Sequence, residues 1–195
     1  MRQLILVAFG ITLVGCQSIG VPFMAARPDY SKVPVETLRE VAREIEQIVA
    51  DEQREFTLAD RGGIVVSAED VRHAIRTRAA RHELLSMLLD SGHAWERRDG
   101  QVWIIRTREY RDFGSRRDRD RYALTVDGES ADRWTIYEGI IRDSNLSPKA
   151  LPAVQRIFFE ERVKLMAPGQ KYETESGDVA VVGGTPVGAD ATAAE

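Results

Sequence analysis

The chain has 195 residues, of which 43% are hydrophobic and 30% charged, with a formal net charge of −4 and a pI near 5.5. That apolar fraction excludes a fully disordered chain, and the mildly acidic balance is a poor match to a general nucleic-acid binder. The single cysteine excludes a disulfide framework and a cysteine-rich zinc site, and the length fits one domain with flanking segments.

In chain order, Met1-Arg2-Gln3 precedes an apolar run of eleven residues, Leu4 to Val14, and then Gly15-Cys16. A short basic start, a short apolar stretch and small residues at its end form a secretory signal pattern. Eleven residues rise only about 16 Å as a helix, against a bilayer core of about 30 Å. Residues 1–15 are therefore expected to direct export and to be removed. Leu13-Val14-Gly15-Cys16 resembles the box of bacterial lipoproteins. That resemblance implies that Cys16 takes a diacylglyceryl group on sulfur, is acylated (palmitate) and becomes the new N-terminus. Two or more acyl chains hold stably to a bilayer, so the mature chain would sit on a membrane without a transmembrane helix. Gln17, rather than Asp, follows the cysteine. By resemblance to enterobacterial sorting rules this implies the periplasm-facing outer membrane. Without residues 1–15 the chain carries 26 basic and 31 acidic residues, net −5.

Residues 16–31 contain two prolines and no hydrophobic period, which reads as a lipidated tether. The folded domain is expected over 32–175. Pro34 suits the first turn of a helix, and Leu38, Val41, Ile45, Ile48 and Val49 continue at helical spacing toward Phe56. Gly62-Gly63 breaks the pattern. A second helix is expected from Ser67 as N-cap, with Asp70 at the third helical position. Its stripe is Val71, Ala74, Ile75, Leu85, Leu88 and Leu89, and it ends at Ser91-Gly92. Ala94–Ile105 places β-formers on both sides of Asp99-Gly100, a hairpin signal. Being marginal alone, that hairpin is expected to lie on the helices through Trp95, Trp103 or Ile105.

The next segment carries Arg106, Arg108, Arg111, Arg116, Arg117, Arg119 and Arg121 against Glu109, Asp112, Asp118 and Asp120, a local net of +3. Tyr122, Leu124 and Val126 follow as a helical extension or a short connector. Ser130 is expected to cap a third helix with Trp134, Ile136, Tyr137, Ile140 and Ile141 on its apolar face, ending at Ser144-Asn145. Ser147-Pro148 opens a fourth, in which Pro152 would bend or delay the start. Its stripe is Leu151, Val154, Ile157, Phe158 and Leu165, and Ala167-Pro168-Gly169 stops it. From Gly177 onward nine of 19 residues are Gly or Ala and none is aromatic, so residues 176–195 are expected to be a disordered tail. The expected fold is mainly α: a small four-helix domain with one β-hairpin.

Three blocks between about Leu84 and Tyr172 resemble the YdbL-like family of small exported bacterial proteins of unknown function. The first is Ser91-Gly92-His93-Ala94-Trp95-Glu96 with Asp99-Gly100-Gln101-Val102-Trp103. The second is Ala131-Asp132-Arg133 with Ile136-Tyr137, and the third is Ala167-Pro168-Gly169-Gln170. Lys171 stands where the family usually has an aromatic. The family has no established catalytic residues to carry over. The resemblance implies envelope residence and association with larger envelope assemblies, including lipid-transfer proteins of the AsmA-like type. It also marks Gly92, Glu96, Asp99, Gly100, Trp103, Pro168, Gly169 and Gln170 as a motif surface.

The chemistry-bearing residues point away from catalysis. His73 and His82 lie on different parts of one helix, and no His-x-x-x-His pair exists, so no metal or other cofactor is expected. Serines 67, 91, 130, 144 and 147 sit where caps and turns use them, without a Gly-x-Ser-x-Gly elbow or a P-loop. Trp95, Trp103, Trp134, Tyr137 and Phe158 read as core. Phe159 reads as core too, but adjacent Phe158 and Phe159 cannot both face one core on a helix, so one of the two is expected to be exposed as a contact surface. The arginine segment is the strongest candidate contact surface, because guanidinium forks pair with phosphate and carboxylate. Its plainer reading is a solvated face with local ion pairs, since Arg and Asp alternate at 116–121. Of the 27 basic residues 23 are Arg, which lowers the weight of any one cluster. The leading expectation is a non-enzymatic outer-membrane lipoprotein acting as an adaptor or accessory factor for an envelope assembly. The alternatives are a module binding anionic lipid or cell wall through residues 106–121, and a peptidoglycan-active hydrolase using paired carboxylates.

Overall fold

The computed structural model describes Tyr30 and residues 32–184. The signal segment, Cys16, most of the tether and residues 185–195 lie outside the described residues. Five α-helices and a small sheet form the fold: α1 Val35–Ala50, α2 Glu69–Asp90, β1 Ala94–Glu96, β2 Val102–Ile104, α3 Arg108–Asp112, α4 Arg116–Asp143, α5 Leu151–Leu165, β3 Lys171–Glu173 and β4 Val179–Val181. The mainly helical character is as expected. The helix count rises from four to five, because the arginine segment is itself helical.

Where the helices end follows from local chemistry. After α1, Glu52 adopts a left-handed conformation (φ 55°). Glu52 N–H then donates to Val49 O, and Gln53 N–H donates to Ile48 O. This Schellman closure stops α1 at Ala50 rather than near Phe56. Gly92 after α2 and Asn145 after α4 close their helices in the same way, at the positions the sequence marks. Ser67 is not the α2 N-cap: Ala68 is. Asp60 takes the Ser67 N–H and hydroxyl, together with Val66 N–H. Ser130 is likewise not a cap but lies inside α4, which begins 14 residues earlier. Its start is a capping box in which Ser115 and Asp118 satisfy each other's backbone N–H. Pro148 opens a 3-10 turn over Pro148–Ala150, which delays α5 to Leu151 and leaves Pro152 in its first turn.

The sheet has four strands in the order β2-β1-β3-β4, not a single hairpin. β1 pairs antiparallel with β2 and parallel with β3, in the register Trp95↔Lys171 and Glu96↔Tyr172. β4 pairs antiparallel with β3. Residues 176–184, expected to be the start of a disordered tail, supply that fourth strand. Pairing on an open edge needs backbone groups rather than bulky side chains, and Ala180 is buried there. Further bonds from Val182 N–H to Gln170 O and from Gly169 N–H to Val182 O lock the segment.

Two apolar clusters result. The larger joins α1, the first half of α2, Leu58, Ile64 and Val66, the second half of α4, and α5. The smaller joins Leu85, Leu88 and Leu89 of α2 to Ala94, Val102 and Val126. The hairpin therefore packs through Ala94 and Val102. Trp103 instead stands 50% exposed, with the Arg97 guanidinium 4.1 Å above its ring. Trp134 and Leu165, expected in the core, are also exposed. Phe158 and Phe159 are both buried. No helix among the described residues is long and apolar enough to cross a membrane.

Candidate functional site

Two polar constellations stand out: one on the surface, where the sequence marks it, and one inside, where it does not.

The arginine segment is a formed surface. Thr107 caps α3 through the Tyr110 N–H. Gly114 (φ 80°) then turns the chain into the Ser115 capping box. Beneath, Phe113 stacks against His93 (4.2 Å between ring centroids) and Tyr122 (5.7 Å), while buried Tyr110 meets His93 edge-on. Burial and nearby Lys171 push the His93 imidazole toward its neutral form. Above this base Arg106, Arg108, Arg111, Arg116, Arg117 and Arg121 are exposed. Arg119 is half-buried and donates to Gly114 O at 2.7 Å. The expected local ion pairs do not form. None of the seven arginines appears in an ion pair among the described residues, because neighbours one or two apart on a helix point to different faces. Asp118 is instead committed to Ser115. A groove lined by Trp103, Ile104, Arg106, Ala123 and Val126 runs beside this surface.

The interior constellation is a layer of three carboxylates and three guanidiniums between the two apolar clusters. Glu46 of α1, Arg78 of α2, Glu96 of β1, Glu129 and Arg133 of α4, and Arg162 of α5 are each at most 7% exposed. Arg133 spans Glu96 with two bonds of 2.7 Å and reaches Glu129 at 2.7 Å. Arg78 spans Glu46 (3.2 and 2.8 Å) and donates to Glu129 at 2.8 Å. Arg162 donates to Glu46 (2.8 Å), Glu96 (3.2 Å) and the Tyr137 hydroxyl (3.1 Å). Gly100 O accepts from Arg133, Arg162 and Tyr137. A Cβ at Gly100 would lie 2.8 Å from the Tyr137 hydroxyl, and its φ is 79°, so only glycine lets this turn dock.

Burial alone would push the Glu46 and Glu129 carboxyls up, but the surrounding guanidiniums outweigh it. Arg78 and Arg162 hold Glu46 below the usual carboxylate range, and Arg78 and Arg133 hold Glu129 well below it. Burial pushes the Tyr137 hydroxyl up, so it stays protonated. A two-carboxylate glycosidase needs one carboxyl kept protonated as an acid. The Arg partners drive Glu46 and Glu129 the opposite way. Among the described residues no group of His, Cys, Asp and Glu has a metal-holding arrangement.

The layer gathers residues from the first two motif blocks, and one residue of the third lines the cavity beside it. Glu96 and Gly100 of the first block meet Arg133 and Tyr137 of the second. Gln170 of the third bonds Asp90 at 2.7 Å and lies on the same cavity wall. Asp99 instead caps its turn through Gln101 N–H and pairs with Arg97. Gly92 closes α2 and its carbonyl accepts from Lys171. Pro168 and Gly169 are exposed, the latter at φ 95°. The marked residues thus form no single surface, and Glu96, Gly100 and Gln170 are interior. Glu46, Arg78, Glu129 and Arg162 escape a motif search. They were legible only as charged residues standing in the phase of an apolar stripe. The chain matches no family model, no curated protein and no solved structure.

Proposed function

We propose that this chain is a lipid-anchored, non-enzymatic protein of the periplasmic face of the bacterial outer membrane, whose arginine segment 106–121 contacts an anionic surface. The observation that carries this reading is the set of six exposed arginines with no ion partner among the described residues, presented on an aromatic base beside exposed Trp103. Unpaired guanidiniums are free to take lipid or lipopolysaccharide phosphates. Cys16 would confine the domain to the membrane and raise the effective concentration of that surface. Co-sedimentation of the unlipidated protein with phosphatidylglycerol-containing vesicles tests it. Each basic residue near an anionic bilayer is worth about 1 kcal/mol, so replacing Arg106, Arg116, Arg117 and Arg121 by Gln should weaken binding by at least about a hundredfold. Binding of the unaltered protein should also fall steeply between about 0.1 and about 1 M salt. Unchanged sedimentation of the variant would sink the idea.

A second reading is an adaptor for an envelope assembly, including an AsmA-like lipid-transfer partner, within a YdbL-like family. The meeting of Glu96 and Gly100 of the first motif block with Arg133 and Tyr137 of the second in one buried layer supports it, since it gives those residue types one structural reason to occur together. Crosslinking in intact cells through position 116 or 121 distinguishes the two: an adaptor yields one protein adduct, a lipid-binding surface yields none.

A further inference from the structure

A cavity of about 310 Å3 opens where the ends of α1 and α5 meet the second half of α2, and nothing in the surface reading uses it. Its floor is the buried charged layer; its walls include Val49, Leu85, Leu89 and Leu165, and His82, Ser86 and Asp90 also line it. At about 30 Å3 for each water of the liquid, such a volume has room for about ten non-hydrogen atoms. That size falls at the small end of ligand pockets, which pair apolar walls with a few fixed polar groups.

The hydrogen-bond balance of the floor selects the ligand. Glu46, Glu96 and Glu129 each accept three bonds from arginines, so little acceptor capacity remains. Arg78 commits three of its five N–H donors. The open valences are therefore donors, which call for an oxygen acceptor. Charge selects further. The buried layer lining the cavity holds three carboxylates against three guanidiniums, while Asp90 at the rim is exposed and bonded to Gln170. An ion of either sign would add an uncompensated charge to this balanced layer, whereas a neutral ligand leaves the balance intact.

We propose that this cavity binds a neutral amphiphile of about ten non-hydrogen atoms, whose amide or hydroxyl oxygen accepts from Arg78 and whose alkyl chain lies along Leu85, Leu89 and Leu165. The site is independent of the arginine surface, so neither reading depends on the other.

Calorimetric titration of the purified protein with octanamide, octanoate and octylammonium tests this, with methyl resonances of the leucines followed in parallel. Octanamide should bind at least about tenfold more tightly than either ion and shift the Leu85, Leu89 and Leu165 methyls. Ala50→Trp and Ser86→Phe, both lining the cavity, should abolish binding while keeping the circular dichroism of the native protein. Octanoate binding as tightly as octanamide would overturn the proposal. So would the absence of both heat and methyl shifts with octanamide, or undiminished binding by a folded blocking variant.

Discussion

Glu129 accepts from Arg78, Arg81 and Arg133, so its loss removes one of the two carboxylate partners of three guanidiniums at once. Glu129→Gln should cost about 3–5 kcal/mol in urea unfolding, the range for breaking one side of a buried pair. Replacing the whole ion layer by apolar residues of matched volume should cost far less by the same reasoning. The direction of the pH dependence follows from the same groups. Glu46 and Glu129 have carboxyls held below their unfolded range. Their stabilisation is complete above the unfolded value of about 4.3 and is lost as pH falls below it. Half-buried His82 is pushed toward its neutral form by partial burial. It adds a shallower loss below the unfolded histidine value of about 6.5. Thermal unfolding midpoints from acid to neutral pH should show the shallow slope first and the steep one below it. A midpoint that stays flat into strong acid would contradict the ionised layer.

At the scale of elements, the charged layer has a signature in helical phase. On α2, Arg78 and His82 bridge the gap between Ile75 and Leu85 at steps of three and four residues. On α4, Glu129 and Arg133 do the same between Val126 and Ile136 or Tyr137. The neighbours one turn away are buried, so these charges stand in the buried stripe. In β1, the two-residue alternation that buries Ala94 also buries Glu96. Strand β4 shows the opposite case, a segment of weak side chains ordered by its partner. Truncation after Ser176 removes β4 together with the Val182–Gln170 and Gly169–Val182 bonds. It should cost about 2–4 kcal/mol, at about 0.5–1.5 for each hydrogen bond. Truncation after Gly184 keeps the strand and should leave urea midpoints unchanged.

For the whole molecule, the proposed anchor and the proposed contact surface lie far apart in sequence and can be tested separately. Cys16→Ala should release the protein from membrane fractions or block its processing. Normal cleavage with persistent membrane association would contradict lipidation. A released variant should keep its vesicle binding, because the arginine surface is formed by α3, α4 and their aromatic base rather than by the anchor.

The sequence alone determined the helical class, the hairpin at Asp99-Gly100, and the helix ends at Gly92 and Asn145. Each rests on local chemistry, a repeating apolar phase or a residue suited to a left-handed turn. It also displayed the arginine cluster, since charge is read directly from composition. It did not reveal whether those arginines were paired, because pairing depends on which helix face each occupies. Nor did it reveal the four-stranded sheet, whose central parallel pair joins Glu96 to Tyr172 across the length of α3, α4 and α5. Only the tertiary structure decided that three glutamates and three arginines from five elements meet in one buried layer. Each is an ordinary surface residue by type. Burial of one charge is tolerable only when distant partners neutralise it, and that condition is met in space, not along the chain.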